Sequence, residues 1–183
     1  MTIQIDTLFD EKAIAERIEA LAAEVADAKP EKLLVVGILN GSFIFAADLV
    51  RAMHRAGLQP EMAFMRLSSY GSGTISSGNV EIHQDVDSDV NDRDIILVDD
   101  ILESGRTLNF AKERLLSRGA KSVKIAALLD KQESRKAPIE ADYVGFACPD
   151  KFVVGYGMDM AHAWRQLPFI GYVVPSDKSG GDS

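Results

Sequence analysis

One segment of the sequence, residues 95–108, restricts the fold of the chain more than any other. It opens with four consecutive apolar residues, 95–98, which are typical of a buried strand in a parallel sheet. Two adjacent carboxylates and a short polar loop come next, and apolar residues recur at helical spacing after Arg106. A strand followed by a short loop and a helix is the repeating unit of α/β proteins, so the segment predicts a parallel sheet covered by helices.

The loop of this segment has the composition of a phosphosugar site. Backbone N–H groups at a helix N-terminus have no partner within the helix and lie at the positive end of its dipole, so they favour an anion. Ser104 and Thr107 offer hydroxyl donors, and Gly105 lets an anion approach the backbone. Asp99 and Asp100 are placed to accept hydrogen bonds from vicinal sugar hydroxyls or to meet a divalent cation through water. Ordinary turns and helix N-caps use the same residue types, so this alternative stays open on the local residues alone.

The rest of the chain continues the alternation of helices and strands. Helices are predicted at about 10–28 and 43–56, an apolar β-run at 33–39, and the third, fourth and fifth strands at 61–67, 94–98 and 123–129. This order indicates an α/β fold with a doubly wound parallel five-stranded sheet, flanked by helices, that binds ligands at the carboxyl ends of its strands. Short strands within 143–174, together with residues 1–10, predict a small hood lobe over that edge.

Length and composition exclude several classes of protein. At 183 residues without an internal linker, the chain is expected to form one domain, 1–183, with a disordered tail at 176–183. The formal net charge of -8 argues against nucleic-acid binding, which needs clustered cations. No apolar run is long enough to span a membrane, and the single cysteine, Cys148, is typical of a reducing compartment, so we expect a cytoplasmic protein.

Two motifs resemble a known enzyme family. Residues 95–108, with the sequence IILVDDILESGRTL, resemble the ribose-phosphate signature of the type I phosphoribosyltransferases, which use 5-phosphoribosyl 1-pyrophosphate (PRPP). Residues 149–159, with the sequence PDKFVVGYGMD, resemble the base-binding stretch of the hypoxanthine-guanine phosphoribosyltransferases. The resemblance covers about 33–174 and implies Mg²⁺-dependent transfer of the phosphoribosyl group to N9 of a 6-oxopurine, by a homodimer or homotetramer.

The resemblance also implies roles for particular residues. Glu103 would be the catalytic carboxylate that takes a proton from the purine. PRPP would be held at its ribose and 5′-phosphate by Asp99, Asp100, Ser104, Gly105, Arg106 and Thr107, and at its pyrophosphate by Asn40, Gly41, Arg165 and Arg135. The purine would be bound by Lys131, Lys151, Phe152, Val153 and Asp159, and Mg²⁺ by Asp159, Asp99 and Asp100. The sequence around Arg135 is not distinctive, so a solvated arginine is the alternative there.

A further match concerns a loop that would cover the site. Ser69 and Tyr70 correspond to the start of the family's mobile catalytic loop. The Gly/Ser-rich segment 68–78 is suited to closing over a reaction from which water must be excluded. A flexible hairpin tip is the alternative interpretation of this segment.

The chain departs from the family pattern at two positions. Many relatives have lysine where this chain has Asn40, so one cation is missing from the pyrophosphate loop. Many have aspartate where this chain has Glu103, and the extra methylene changes the reach of the carboxylate. Two other functions stay open: a PRPP-sensing regulator that binds nucleic acid, and a transferase that accepts xanthine or another base.

Overall fold

The computed structural model of the chain describes residues 3–69 and 80–174. Its elements, in chain order, are β1 (Gln4–Phe9), α1 (Glu11–Asp27), β2 (Leu34–Leu39), α2 (Phe43–Arg55), β3 (Glu61–Ser69), β4 (Val80–Gln84), β5 (Asp94–Leu102), α3 (Arg106–Ser117), β6 (Ser122–Asp130), a 3₁₀ turn (Gln132–Ser134), β7 (Tyr143–Ala147), β8 (Val153–Val154) and β9 (Ile170–Val174). Within these two ranges, no helix is both long enough and apolar enough to cross a membrane.

The main sheet has the strand order β4-β3-β2-β5-β6-β7. Its strands are parallel except β4, which pairs antiparallel with β3 at one edge. The α/β fold with a parallel sheet and flanking helices is therefore confirmed. The sheet has six strands in the described residues rather than the predicted five.

One strand belongs to a different sheet from the one predicted. Residues 143–146 were expected in the hood, but they form β7, which pairs parallel with β6 at the other edge of the main sheet. Tyr143 and Gly145 are buried, and a Cβ on Gly145 would lie only 2.3 Å from the backbone oxygen of Leu128. A short edge strand has too few residues for its pattern to indicate which sheet it joins.

A second sheet forms the hood. It has three antiparallel strands in the order β1-β9-β8, so it joins the N-terminal segment to the strands after residue 150, as predicted for those residues. The segment that follows β8 reaches back to the main sheet, because Gly157 lies against the backbone of Gly41. The hood is therefore in contact with the carboxyl end of β2.

Apolar side chains fill both faces of the main sheet. Successive residues of a strand point to opposite faces, and in β2 the side chain of Val35 joins one core cluster whereas Leu34 and Val36 join the other. The first cluster packs under α1 and α2, and the second packs under α3. Burial on both faces explains why the strands of this sheet are almost continuously apolar.

Asp85 connects the segment after β4 to α3 through ion pairs. Its carboxylate lies 2.8 Å from Nη2 of Arg114 and 3.1 Å from Nη1 of Arg118, and it accepts a hydrogen bond from the N–H of Val86. Partial burial acts to raise the pKa of Asp85, but the hydrogen bonds and the two arginine charges outweigh it and hold the pKa below its ordinary value.

We expect Asp85→Asn to lower the free energy of unfolding by about 1 kcal/mol near neutral pH, because the charge facing both arginines is lost. The pKa of Asp85 is lower in the folded protein, so its contribution is complete above the unfolded value of about 3.8 and disappears as the pH falls through the folded value. Urea unfolding near neutral pH and at about pH 3 should show a difference between wild type and variant that narrows in acid. An equal difference at both pH values would contradict this account.

Candidate active site

The predicted phosphosugar loop lies between a strand end and a helix start. β5 continues to Leu102, beyond the predicted end at residue 98, so Asp99 and Asp100 lie within its last residues rather than after it. α3 begins at Arg106, and Gly105 is its N-cap residue. A cavity of about 220 Å³ opens there, and its lining includes Asp99, Glu103, Ser104, Gly105 and Thr107. Four of the six residues assigned to the ribose and its 5′-phosphate therefore line one cavity, whereas Asp100 and Arg106 are not part of its lining.

The backbone conformation of Gly105 and the packing behind the loop both require glycine at this position. Its φ of +77° lies in the left-handed region that glycine adopts without strain. A Cβ at this position would lie 2.5 Å from Cγ2 of Ile139 and 3.1 Å from Cδ of Arg135. The missing side chain therefore leaves room for the residues that pack behind the loop.

The two carboxyl groups at the end of β5 are partly buried and influence each other. Burial, followed by the charge of Asp100, raises the pKa of Asp99 well above its ordinary value. Burial also raises the pKa of Asp100, although the N–H of Ile101 and the charge of Arg165 act in the opposite direction. Hydroxyl donors or a cation would stabilise the ionised forms, so this pair is suited to binding a sugar diol or a hydrated metal ion.

The predicted pyrophosphate loop touches this pair. A Cβ on Gly41 would lie 1.8 Å from Oδ2 of Asp100, so only glycine allows the loop to approach the carboxylate so closely. Gly157 has a φ of +103°, and a Cβ there would lie 2.1 Å from the backbone oxygen of Gly41. The role of Gly157 was not predicted, although its place in a Gly-Tyr-Gly sequence was a signal that the backbone makes a close approach.

Arg165 and Asp159 form an ion pair beside these glycines. Nη2 of Arg165 lies 2.6 Å from Oδ1 of Asp159, and Nη1 donates to the backbone oxygen of Gly157 at 2.6 Å. The other oxygen of Asp159 accepts a hydrogen bond from the N–H of His162. The predicted pyrophosphate arginine and the predicted metal-binding aspartate are therefore neighbours. The charge of Arg165 also reaches Asp100.

The segment assigned to the purine lies on the hood. Phe152 is 57% exposed, which is unusual for a large apolar side chain and leaves its ring available for stacking. Val153 is buried and pairs with Tyr172 in β9. The ammonium of Lys151 lies 3.7 Å from the centre of the Tyr172 ring, so the side chain of Lys151 packs on the hood and only its backbone remains for a base.

Lys131 and Glu103 follow the paired ends of β6 and β5. Nζ of Lys131 lies 4.0 Å from Oε1 of Glu103, and the lysine side chain is only 8% exposed whereas that of Glu103 is 55% exposed. The N–H of Lys131 donates to the backbone oxygen of Leu102 at 3.0 Å. The predicted purine-binding lysine and the predicted catalytic carboxylate therefore stand side by side.

Arg135 has partners other than the predicted pyrophosphate site. Its guanidinium donates to the backbone oxygens of Leu102, Glu103 and Ile139, and it forms an ion pair with Asp130. All three nitrogens are engaged in this way, so the solvated alternative does not describe Arg135 either. Sequence reasoning missed Asp130 altogether, although an aspartate at the end of a buried strand was a signal.

The residues proposed to bind Mg²⁺ do not form a compact metal centre. Among residues 3–69 and 80–174, no group of three or more Asp, Glu, His or Cys side chains has the spacing of a metal site. Asp99, Asp100 and Asp159 do not form such a group within these ranges. They still fit Mg²⁺, which usually keeps several waters and binds one or two carboxylates together with substrate phosphates.

Two predictions fall partly outside the described residues. Ser69 is the last residue of β3, whereas Tyr70, most of the predicted loop 68–78 and the whole predicted tail 176–183 lie outside the described residues. Cys148 lies in the core under α1 and α2, and burial raises the pKa of its thiol, so it stays neutral as a packing residue.

Comparison with known proteins shows the family to which the chain is related. Residues 4–161 match the protein family described as the phosphoribosyl transferase domain. The hypoxanthine-guanine phosphoribosyltransferase of Bacillus subtilis is 45% identical over 170 residues, which are 92% of this chain and 93% of that protein. The hypoxanthine phosphoribosyltransferase of Escherichia coli is 38% identical over 95% of this chain and 98% of that protein.

Solved structures show the same fold. A crystal structure of a hypoxanthine phosphoribosyltransferase from Staphylococcus aureus superposes with a TM-score of 0.88 at 41% identity, covering 96% of this chain and 94% of that chain. A mutant of the Trypanosoma cruzi hypoxanthine phosphoribosyltransferase, in a ternary complex with substrates, gives a TM-score of 0.88 at 35% identity, with 94% and 96% covered. The chain therefore belongs to the phosphoribosyltransferase family.

Proposed function

We propose that the chain transfers the 5-phosphoribosyl group from PRPP to N9 of hypoxanthine, guanine or both, giving IMP or GMP and pyrophosphate in purine salvage. The observation that carries this proposal is the distance of 4.0 Å between Nζ of Lys131 and Oε1 of Glu103, beside the phosphosugar loop. A 6-oxopurine presents O6 and N7 on one edge of its ring, so a cation and a carboxylate at this spacing can meet both atoms of that edge.

In this proposal each part of the site has one task. The N-terminus of α3 and the hydroxyls of Ser104 and Thr107 bind the 5′-phosphate, and Asp99 and Asp100 accept hydrogen bonds from the ribose hydroxyls. Lys131 donates to O6, and Glu103 takes the proton from the N7 side as N9 attacks C1 of the ribose. Loss of pyrophosphate leaves positive charge on the ribose, which nearby carboxylates stabilise.

Several finer features belong to the same proposal. The residues that would hold Mg²⁺, together with waters and substrate phosphates, are Asp159, Asp99 and Asp100, and the ion would supply positive charge to the leaving pyrophosphate. We also propose that the chain is one domain with a hood, that it works in the cytoplasm as a homodimer or homotetramer, and that it binds neither nucleic acid nor membranes.

A direct assay tests the proposed function. The purified protein with Mg²⁺ and PRPP is expected to consume hypoxanthine, guanine or both, with one pyrophosphate released for each nucleotide formed. Xanthine consumed in preference to both would favour the alternative transferase. No consumption of any purine, together with PRPP-dependent binding of RNA or DNA, would favour the regulator.

We expect Lys131→Met to raise the KM for the purine by about tenfold to a hundredfold, because a hydrogen bond from a charged donor contributes about 1.5–3 kcal/mol. The KM for PRPP should change little. Lys12→Met is a matched control, since the side chain of Lys12 is 84% exposed on α1. Initial rates at varied purine concentration provide the measurement, and an unchanged purine KM in Lys131→Met would remove Lys131 from the base site.

A further inference from the structure

We propose that Arg135 is a positioning residue that sets where Glu103 stands relative to Lys131; this inference rests on the proposed function of Glu103 in proton transfer. The side chain of Arg135 is 16% exposed, and its guanidinium lies behind the loop that follows β5. Its contacts are with the protein, so its effect on the reaction would be indirect.

The guanidinium holds the backbone on both sides of Glu103. Nε donates to the backbone oxygen of Glu103 at 3.0 Å, and Nη2 donates to that of Leu102 at 3.3 Å. These oxygens belong to the two peptide groups that flank the Cα of Glu103. Because both peptide groups are held by one rigid, planar group, the direction in which the Glu103 side chain leaves the backbone is fixed.

The same guanidinium is anchored to the end of β6, directly before the lysine. It pairs with Asp130, whose side chain is 8% exposed and which directly precedes Lys131. The third nitrogen, Nη1, donates to the backbone oxygen of Ile139 at 2.5 Å. Arg135 therefore connects the backbone of Glu103 to the residue before Lys131, and Gly105 leaves the space its side chain occupies.

The exposure of Glu103 makes this connection important. More than half of its side chain is exposed, so surrounding packing alone does not hold the carboxylate in place. A displacement of about 1 Å can lower a rate by about a hundredfold, and N7 and O6 of a purine have a fixed spacing. Arg135 thus holds the Glu103 carboxylate at a distance from the Lys131 ammonium, 4.0 Å, that suits the N7 and O6 atoms of the purine.

Kinetics of Arg135→Met and Arg135→Lys test this assignment. Both variants should lower kcat by about tenfold or more, because lysine lacks the fork that reaches several oxygens at once. The KM for PRPP and the inhibition by pyrophosphate should change less than about threefold. Arg51→Met is the control, since Arg51 is exposed on α2. A raised PRPP KM or weaker pyrophosphate inhibition at unchanged kcat would show instead that Arg135 binds pyrophosphate, and would overturn the proposal.

A double-mutant cycle separates a positioning role from a general structural one. In the Glu103→Gln background, Arg135→Met should lower kcat by less than about twofold further, because the group it positions no longer transfers a proton. The proposal would be overturned if the double variant lost kcat by the full product of the losses in the two single variants. Asp130→Asn, which keeps the size of the side chain, is expected to act in the same direction as Arg135→Met and provides a second variant if the first is poorly folded.

Amide hydrogen exchange tests the same connection without activity. In Arg135→Met, the amides of Lys131, Lys136 and Ala137 should exchange faster. The first donates to the backbone oxygen of Leu102, which the guanidinium contacts, and the other two donate to that of Ser104, the residue after the contacted Glu103. Amides in β2 should be unaffected. Unchanged exchange at the three amides would overturn the inference, whereas a wild-type protein that converts no purine would count against the proposed function and not against this connection.

Discussion

Glu103→Gln is expected to lower kcat by about 10²- to 10⁴-fold, the range typical of a lost general base. Glutamine keeps the length and shape of the side chain, so the fold and the affinity for PRPP should stay nearly unchanged. The effect should appear in kcat at saturating PRPP and purine, measured by the rate of nucleotide formation. Calorimetry of PRPP binding to the variant shows whether a loss of PRPP affinity contributes to the lower rate.

Two matched variants make the result specific. Glu133→Gln changes an exposed glutamate in the 3₁₀ turn and should leave kcat as in wild type. Glu103→Asp keeps the charge but shortens the side chain, so its kcat should fall less than that of Glu103→Gln. A wild-type kcat in Glu103→Gln would mean that another group takes the proton.

Gly41→Ala is expected to lower kcat/KM for PRPP by about a hundredfold or more, because the new methyl group would displace the Asp100 carboxylate. The added Cβ would lie 1.8 Å from Oδ2 of Asp100, which is far inside van der Waals contact. Gly41 does not have a left-handed backbone, so alanine adds no conformational strain of its own there. Initial rates at varied PRPP concentration measure the loss.

Gly57→Ala is the control for the loss of a glycine. Gly57 follows α2 with a φ of +88°, and a Cβ there would meet no atom within 4 Å. This variant should therefore be less stable than wild type but retain its kcat/KM once folded. A Gly41→Ala protein with wild-type kcat/KM would show that Asp100 can move without consequence for PRPP.

The sequence predicted the parts of the site that lie within one segment. The strand, loop and helix around Asp99, Glu103 and Gly105 occur where their local pattern indicated, because strand burial and helix spacing are properties of consecutive residues. The family resemblance assigned Lys131 and Glu103 to the same purine, but the 4.0 Å contact between their side chains was not predicted.

Contacts between distant segments were harder to predict. The partners of Arg135 lie on three segments, and nothing in its neighbouring residues indicates that it faces backbone oxygens rather than a ligand. The placement of β7 in the main sheet was also hard to predict, because the pairing of a short strand depends on its tertiary context. The close approach of Gly157 to Gly41 depends on how the hood meets the sheet, which no single motif encodes.

The site is divided between two sheets, and each sheet faces a different part of the purine: one faces the atoms that the candidate purines share, and the other faces the atoms in which they differ. In the proposed reaction, Lys131 and Glu103, which follow strands of the main sheet, contact O6 and N7, the atoms that hypoxanthine, guanine and xanthine have in common. The hood segment 149–159 is left to face the rest of the base, including C2, where the three purines differ. Substitutions at residues 151–153 of the hood, which are not among the residues assigned to PRPP, can therefore change which purine is accepted while the residues that hold the donor stay where they are.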